Sequence, residues 1–301
     1  MNLDLVQSFY WVATLKSITE AAKKMCVTQQ AMTARMNKLE EELGLALFDP
    51  RQREVRLTLA GARFGVEAKR LLEVWRDIKS GLGAGATDAV TLRLGANESV
   101  LHSWLIPWIE RLRKENPALE LELTVETTAM LLDLVEHGAL DLVVATLPAR
   151  TKDVRFRELP SLPMTFVGNR SSHRKRRYSL AELAKGELLT FQRGSQPHAA
   201  LNEMLRRAGV ARARIHAISS IAAMVRLVAD GFGVALLPRA AIERVPAREG
   251  LRLLACEVPP GPLPLYASWH ADPCSDAVEA FVERAFDFAG RPTQSRRHKK
   301  D

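Results

Sequence analysis

At 301 residues and 47% hydrophobic, the chain is too long for one small domain and apolar enough to bury two or three cores. No stretch reaches the roughly 18 apolar residues of a membrane span, and MNLDLVQSF lacks a basic region followed by an apolar core, so neither insertion nor export is expected and a cytoplasmic location is. The formal charge of +8 suggests an anionic partner, but residues 1–89 hold 13 Lys and Arg against 11 Asp and Glu. The excess lies in the 291–301 tail, five against one, and in HRKRR at 173–177, both of which read as solvated or disordered surface with weak nonspecific DNA contact as the alternative.

Leu3, Val6, Phe9, Tyr10 and Ala13 define a first amphipathic helix, with Trp11 in a structural role. Ser17 followed by Glu20 is a capping box that opens a second, short helix with Ile18, Ala21, Ala22 and Met25 on its apolar face. Cys26 and Val27 leave room only for a tight turn before Thr28, the next N-cap. From there Met32, Met36, Leu39 and Leu43 form a buried stripe that stops at Gly44. Gln30, Thr33, Ala34 and Asn37 fall on the opposite arc, and short or amide side chains of that kind hydrogen-bond base edges in a major groove. Two helices joined this way predict a helix-turn-helix.

After Pro50 the run RQREVRL suits a β-wing that brings Arg51, Arg53 and Arg56 to a phosphate backbone, although a plain solvated hairpin has the same spacing. The candidate DNA-contacting set is Thr28, Gln29, Gln30, Thr33, Ala34, Arg35, Asn37 and Lys38, with the three wing arginines. Thr58 to about Leu82 then reads as one long helix, with Phe64, Ala68, Leu71, Trp75, Ile78 and Leu82 as a heptad seam. Such a seam needs a partner helix, and dimerisation supplies one; packing on the chain's own domain is the alternative. GLGAGATDA, residues 81–89, is linker-like; its glycines follow a helix rather than a strand, which rules out a dinucleotide loop.

From Val90 strands and helices alternate. VTLRLGA, LELELTV and DLVVATL are strand-like around helices at 99–115 and 129–137, and a second set runs from LPMTFVGN through GVALLP. PLYASW and a helix at 275–289 close the pattern. Ligands of open α/β sheets gather at the carboxyl ends of strands. Those positions are Asn97, Glu98, Ser99, Thr127 and Thr128 in one set, and Gln192, Arg193, Gly194, Ser195, Ser219 and Ser220 in the other. Hydroxyls at helix starts suit a small anion such as a carboxylate, with a plain N-cap role as the alternative for each, and Glu98 opposes an anion unless Arg193 pairs with it or the ligand carries a cation.

The blocks FYWVATLKSITEAA, VTQQAMT, KLEEELGLALF and VRLTLAG, in this order, resemble the LysR-type transcriptional regulators, and the resemblance covers residues 1 to about 290. It departs at Gln30, where the family usually has Pro, at Ala34, where a basic residue is usual, and at Pro50, often Arg. These departures bear on which bases are read. The resemblance implies an α/β protein with an N-terminal all-α winged helix-turn-helix (1–58), a linker and dimerisation helix with a flexible linker (59–89), and a two-lobed periplasmic-binding-protein-like effector domain (90–290). Lobe I would comprise 90–161 and 266–290, lobe II 162–265, with a basic tail at 291–301. It also implies double-stranded DNA, a small-molecule effector and a homodimer or homotetramer as partners, leaves contact with RNA polymerase open, and marks Ser99, Thr128 and Ser195 as effector-contacting.

The chain has three cysteines, Cys26, Cys256 and Cys274; their odd number and wide spread imply no disulfide framework, and a redox role for Cys256 and Cys274 stays open with nothing nearby to lower either thiol's pKa. No HExxH, CxxC, nucleophile-elbow or Walker spacing appears, so no catalysis, cofactor or metal is expected. The alternative of a different class is a small-molecule-binding protein or enzyme whose N-terminal helices only oligomerise.

Overall fold

A computed structural model describes residues 2–49, 55–81, 91–151, 154–245, 250–270 and 277–290. The N-terminal unit is built from α1 (Leu3–Leu15), α2 (Ile18–Lys24), α3 (Gln29–Leu43) and the first half of α4 (Leu59–Gly81). Its core takes Phe9, Trp11, Met32, Met36, Leu39 and Leu72, with Phe9 edge-on to Phe64 at 4.9 Å. Capping explains where the helices begin: Ser17 Oγ accepts from Glu20 N at 3.2 Å and Thr28 Oγ1 from Ala31 N at 3.1 Å. At Ser17 the expected box forms by half, because the Glu20 carboxylate turns to Lys23 Nζ, 2.9 Å away. The tight turn is made by Cys26 in left-handed conformation (φ +53°), and Gly44 (φ +64°) ends α3 as expected.

Two five-stranded sheets follow. The first has the order β2-β1-β3-β10-β4, with β1 (Thr91–Ala96), β2 (Glu120–Val125), β3 (Leu142–Ala145), β4 (Val154–Leu162) and β10 (Leu263–His270). The second has the order β7-β6-β8-β5-β9, with β5 (Met164–Asn169), β6 (Glu187–Thr190), β7 (Arg214–Ala217), β8 (Val234–Pro238) and β9 (Leu251–Leu254). Strands β1, β2 and β3 are parallel, as are β6, β7 and β8, which sends their carboxyl ends to a common edge in each lobe. Successive residues serve opposite cores: Leu142 and Val144 face one apolar cluster, Val143 and Ala145 the other. This two-sided burial is why β3 and β8 read as continuous apolar runs.

The helices on lobe I are α5 (Glu98–Val100), a π turn at Leu101–Leu105, α6 (Ile106–Glu115), α7 (Thr128–Glu136) and the closing α12 (Ala277–Ala289). The π turn lies just ahead of Pro107, which has no N–H to return to the preceding turn. Lobe II carries α8 (Leu180–Leu183), α9 (Gln196–Arg207), α10 (Ile221–Ala229) and α11 (Arg239–Ile242). Between the lobes the chain crosses at Pro163 and again ahead of Leu263. Leu263 and Leu265, expected in lobe II, pair with Leu162 and Leu159 in the first sheet. Among the described residues no helix is long and apolar enough to cross a membrane.

Candidate nucleic-acid interface and effector cleft

Helix α3 is held from below by Met32, Met36 and Leu39 and presents Gln29, Gln30, Thr33, Ala34, Asn37 and Lys38 to solvent. Thr28 is exposed beside them but serves as the N-cap. Thr33 donates its hydroxyl proton to Gln29 O at 3.0 Å, so toward a base it can only accept. Arg35 differs from its expected place. It lies on the flank of the buried stripe, three residues after Met32 and four before Leu39, and its guanidinium donates to Ser8 Oγ on α1 at 3.1 Å. The side chain thus ties α3 to α1 and does not stand on the exposed arc.

The stem of the expected wing lies among the described residues. Phe48 bridges Leu57 antiparallel, Asp49 N donates to Arg56 O at 2.8 Å, and Arg56 is exposed. Arg51 and Arg53 lie outside the described residues. Sequence reasoning missed Glu40, whose Oε1 accepts from Leu47 N at 2.7 Å and Phe48 N at 3.0 Å and so fixes the stem to α3. The signal was weak, since the acceptor sits in a run of three glutamates.

The heptad seam on α4 divides. Ala68, together with Phe64 and the unforeseen Leu72, packs into the N-terminal core, while Leu71, Val74, Trp75 and Ile78 are 40–51% exposed. At about 1.5 Å per residue the 23-residue α4 runs some 35 Å, against some 20 Å for the 13-residue α1 that it packs on. Leu71, Val74, Trp75 and Ile78 join Leu3 and Val6 around a groove of about 160 Å³. Leu82 lies outside the described residues.

In the two lobes, four of the expected ligand groups are caps of their own helices. Asn97 Oδ1 accepts from Val100 N at 3.1 Å, Thr127 Oγ1 from Met130 N at 3.3 Å, Ser195 Oγ from His198 N at 3.4 Å and Ser220 Oγ from Ala223 N at 3.4 Å. Ser99 is 4% exposed, and Thr128 Oγ1 shares a hydrogen bond with Thr146 Oγ1 at 2.9 Å. Gln192, Arg193 and Ser219 are exposed, and among the described residues Arg193 has neither hydrogen-bond nor ion-pair partner. Gly194 takes φ +84°, which lets the chain double back into α9.

Glu98 resolves its own conflict without Arg193. Its Oε2 accepts from Ile221 N, 3.1 Å away at the first turn of α10 in lobe II, and His102 Nε2 stands 3.2 Å from the same oxygen. One carboxylate of lobe I thereby caps a helix of lobe II, bringing the two strand edges face to face. Behind Gln192 the Thr190 hydroxyl is buried and without a partner. A lone threonine in an apolar strand carries no sequence signal for this.

Among the described residues no group of three His, Cys, Asp or Glu side chains is placed to hold a metal. Cys26 is exposed; Cys256 is buried, and burial pushes its thiol up, the opposite of an activated cysteine. Cys274 lies outside the described residues.

Residues 3–62 match the family described as bacterial regulatory helix-turn-helix protein, lysR family, and residues 86–289 match the LysR substrate binding domain. The HTH-type transcriptional regulator HdfR of Yersinia enterocolitica is 29% identical over 154 residues, 51% of this chain and 52% of that protein, and HdfR of Yersinia pestis gives the same figures. The match thus spans about half the length of these curated relatives. Among solved structures, full-length OxyR from Pseudomonas aeruginosa aligns with TM-score 0.61 at 24% identity, covering 95% of this chain and 94% of that one. CbnR, a LysR family transcriptional regulator, aligns with TM-score 0.56 at 21% identity over 95% of this chain and 100% of its own, and CbnR has also been solved with its target DNA. At these identities the structures establish a shared fold.

Proposed function

The chain belongs to the LysR family of regulators, and from that premise we propose that it is a cytoplasmic transcriptional regulator that reads double-stranded DNA with α3. One observation carries this reading: a helix capped at both ends and locked from below leaves an uninterrupted outer arc of Gln29, Gln30, Thr33, Ala34, Asn37 and Lys38. Rigid presentation of amide and hydroxyl groups is what discrimination between base edges requires. The exposed half of α4, Leu71 to Ile78, is the surface for a second copy. Twofold pairing there would give two recognition helices at a fixed half-site spacing, in a homodimer or in a homotetramer built from such pairs. Contact with RNA polymerase beside the operator belongs to the same reading.

The effector sits between the lobes in this proposal. Arg193, the α9 N-terminus behind Ser195, and the buried Thr190 hydroxyl offer a cation and hydrogen-bonding groups to a small anion, whereas the α10 N-terminus is already taken by Glu98. Ser99, Thr127, Thr128, Gln192, Ser219 and Ser220 line the same edges. Selection of genomic fragments by the purified full chain, repeated across a salt series, tests the function. A recurrent near-palindromic site is expected. Recovery of fragments without sequence preference would overturn it and favour a small-molecule-binding protein with an N-terminal oligomerisation module.

A further inference from the structure

The N-terminal unit touches lobe I of its own chain at a polar cluster in which a lysine of α2 joins an ion pair internal to lobe I. Lys24 is the last residue of α2, and its ammonium meets Asp141 Oδ1 on the far side of the contact. Asp141 stands immediately ahead of β3 and is held on β1 by three donors: Arg93 N and Nε at 2.9 and 3.2 Å to Oδ2, and Arg93 Nη2 at 2.8 Å to Oδ1. The side chains of Lys24, Asp141 and Arg93 are 15%, 6% and 14% exposed, so water screens them little. Lys24 also lies 5.0 Å from the centre of the Trp11 ring.

Beside this cluster the apolar surfaces interlock. Leu15, at the end of α1, lies so close over Gly138 that a Cβ there would stand 2.3 Å from Leu15 Cδ2. Gly138 has φ +68° as well, so the position excludes a side chain twice over.

We propose that Lys24, Asp141 and Arg93 form an intrachain clasp that fastens the helix-turn-helix to lobe I and couples the cleft to the recognition helix along β1 and β3, apart from α4. The strands make the route. Arg93 lies near the start of β1, and Asn97 to Ser99 follow its end; Asp141 precedes β3, and Thr146, bonded to Thr128, follows it. The four residues of β3 span about 13 Å and are buried on both faces, so the strand moves as a rod. At the near end, only Met25 to Thr28 separate Lys24 from α3. Buried ion pairs add little net stability but penalise every arrangement in which one charge loses its partner, which makes them suited to fixing an orientation. The fastening half of the proposal stands whatever the cleft binds; the coupling half rests on the effector reading above.

Hydrogen exchange of the full chain, free of DNA and of added ligand, tests both halves. Lys24→Gln leaves Asp141 paired with Arg93, so lobe I stays folded, and exchange at 18–24 and at 139–142 should rise together by at least tenfold. Lys24→Arg should restore protection, and Lys23→Gln, an exposed lysine paired with Glu20, should change nothing at 139–142. If Lys24→Gln leaves 139–142 unchanged, or loosens α2 alone, the clasp is refuted. Glu98→Ala, which breaks the interlobe bond, should raise exchange at 18–24 in the wild-type background and not further in Lys24→Gln. An equal rise in both backgrounds would overturn the coupling while leaving the fastening intact. Because no DNA is present, failure of the DNA-binding reading does not alter these outcomes.

Discussion

Two glycines four residues apart on α4 should respond to the same substitution with opposite signs. A Cβ at Gly61 would stand 2.0 Å from Leu47 O and 2.9 Å from Leu47 C, backbone atoms that cannot swing away. The same carbonyl accepts from Thr58 N at 2.9 Å, and the Thr58 hydroxyl donates to the neighbouring Ala46 O at 2.7 Å. Ala at a helical position gains about 1 kcal/mol over Gly. Against that, overpacking costs about 1–3 kcal/mol and each displaced hydrogen bond about 1 kcal/mol, for a net loss of roughly 2 kcal/mol.

At Gly65 the nearest atom to an added Cβ is Phe9 Cε1 at 3.8 Å, ordinary contact, so Gly65→Ala keeps most of the helical gain. For a unit of this size 1 kcal/mol moves Tm by about 4–8 °C. Differential scanning calorimetry of the full chain should therefore show the N-terminal transition falling by about 10 °C in Gly61→Ala and rising by a few degrees in Gly65→Ala, with the lobes' transition unmoved. Gly61→Ala should also weaken DNA binding, because Leu47 leads into the wing stem at Phe48 and Leu57. Equal stability of the two variants would refute the claim that α4 and the stem meet backbone to backbone.

Ile78→Glu places a charge on the exposed half of the α4 seam without touching the Phe64–Leu72 half. Sedimentation velocity should show smaller assemblies and an unchanged N-terminal transition; unaltered oligomers would remove α4 from the interface. Arg193→Gln should weaken effector binding tenfold or more in calorimetric titration once the effector is known, with Tm unchanged, since Arg193 supports no described contact. Burial raises the Asp141 carboxyl's pKa, but the hydrogen bonds and charges of Arg93 and Lys24 outweigh it and hold it below the usual carboxylate range. A lowered folded pKa means stability that is complete above about pH 4 and lost as pH falls through the folded value. Exchange at 139–142 should accordingly stay flat from neutral pH to about pH 4, after correction for intrinsic rates, and rise below it. A rise near pH 6 would assign the contact to another group.

The recognition helix was legible because its signals are local: Thr28, the four-three-four stripe from Met32 to Leu43, and Gly44 lie within one short stretch. Arg35 was not, because its partner Ser8 is 27 residues away and belongs to a different helix. Heptad arithmetic found α4 but could not say that its seam changes partner midway, since that depends on how far α1 reaches beneath it. Strand β4 went unread because its burial pattern is irregular and Pro160 interrupts it, which is tolerated only because β4 is an edge strand. The hydroxyls of the cleft were found as residues but not sorted into caps and free groups. The two contacts that join separate parts, Glu98 to Ile221 and Lys24 to Asp141, span 123 and 117 residues, and no local pattern announces either.

The most direct test of the account is the affinity of the Thr33→Glu/Asn37→Glu double variant for the recovered site, read by fluorescence anisotropy beside the wild type at one salt concentration. Both side chains are exposed and neither supports the core, so fold and oligomeric state should hold. Base contacts worth about 1–3 kcal/mol each predict at least a thirtyfold loss on the specific site. Wild-type affinity in the variant would show that α3 does not read DNA.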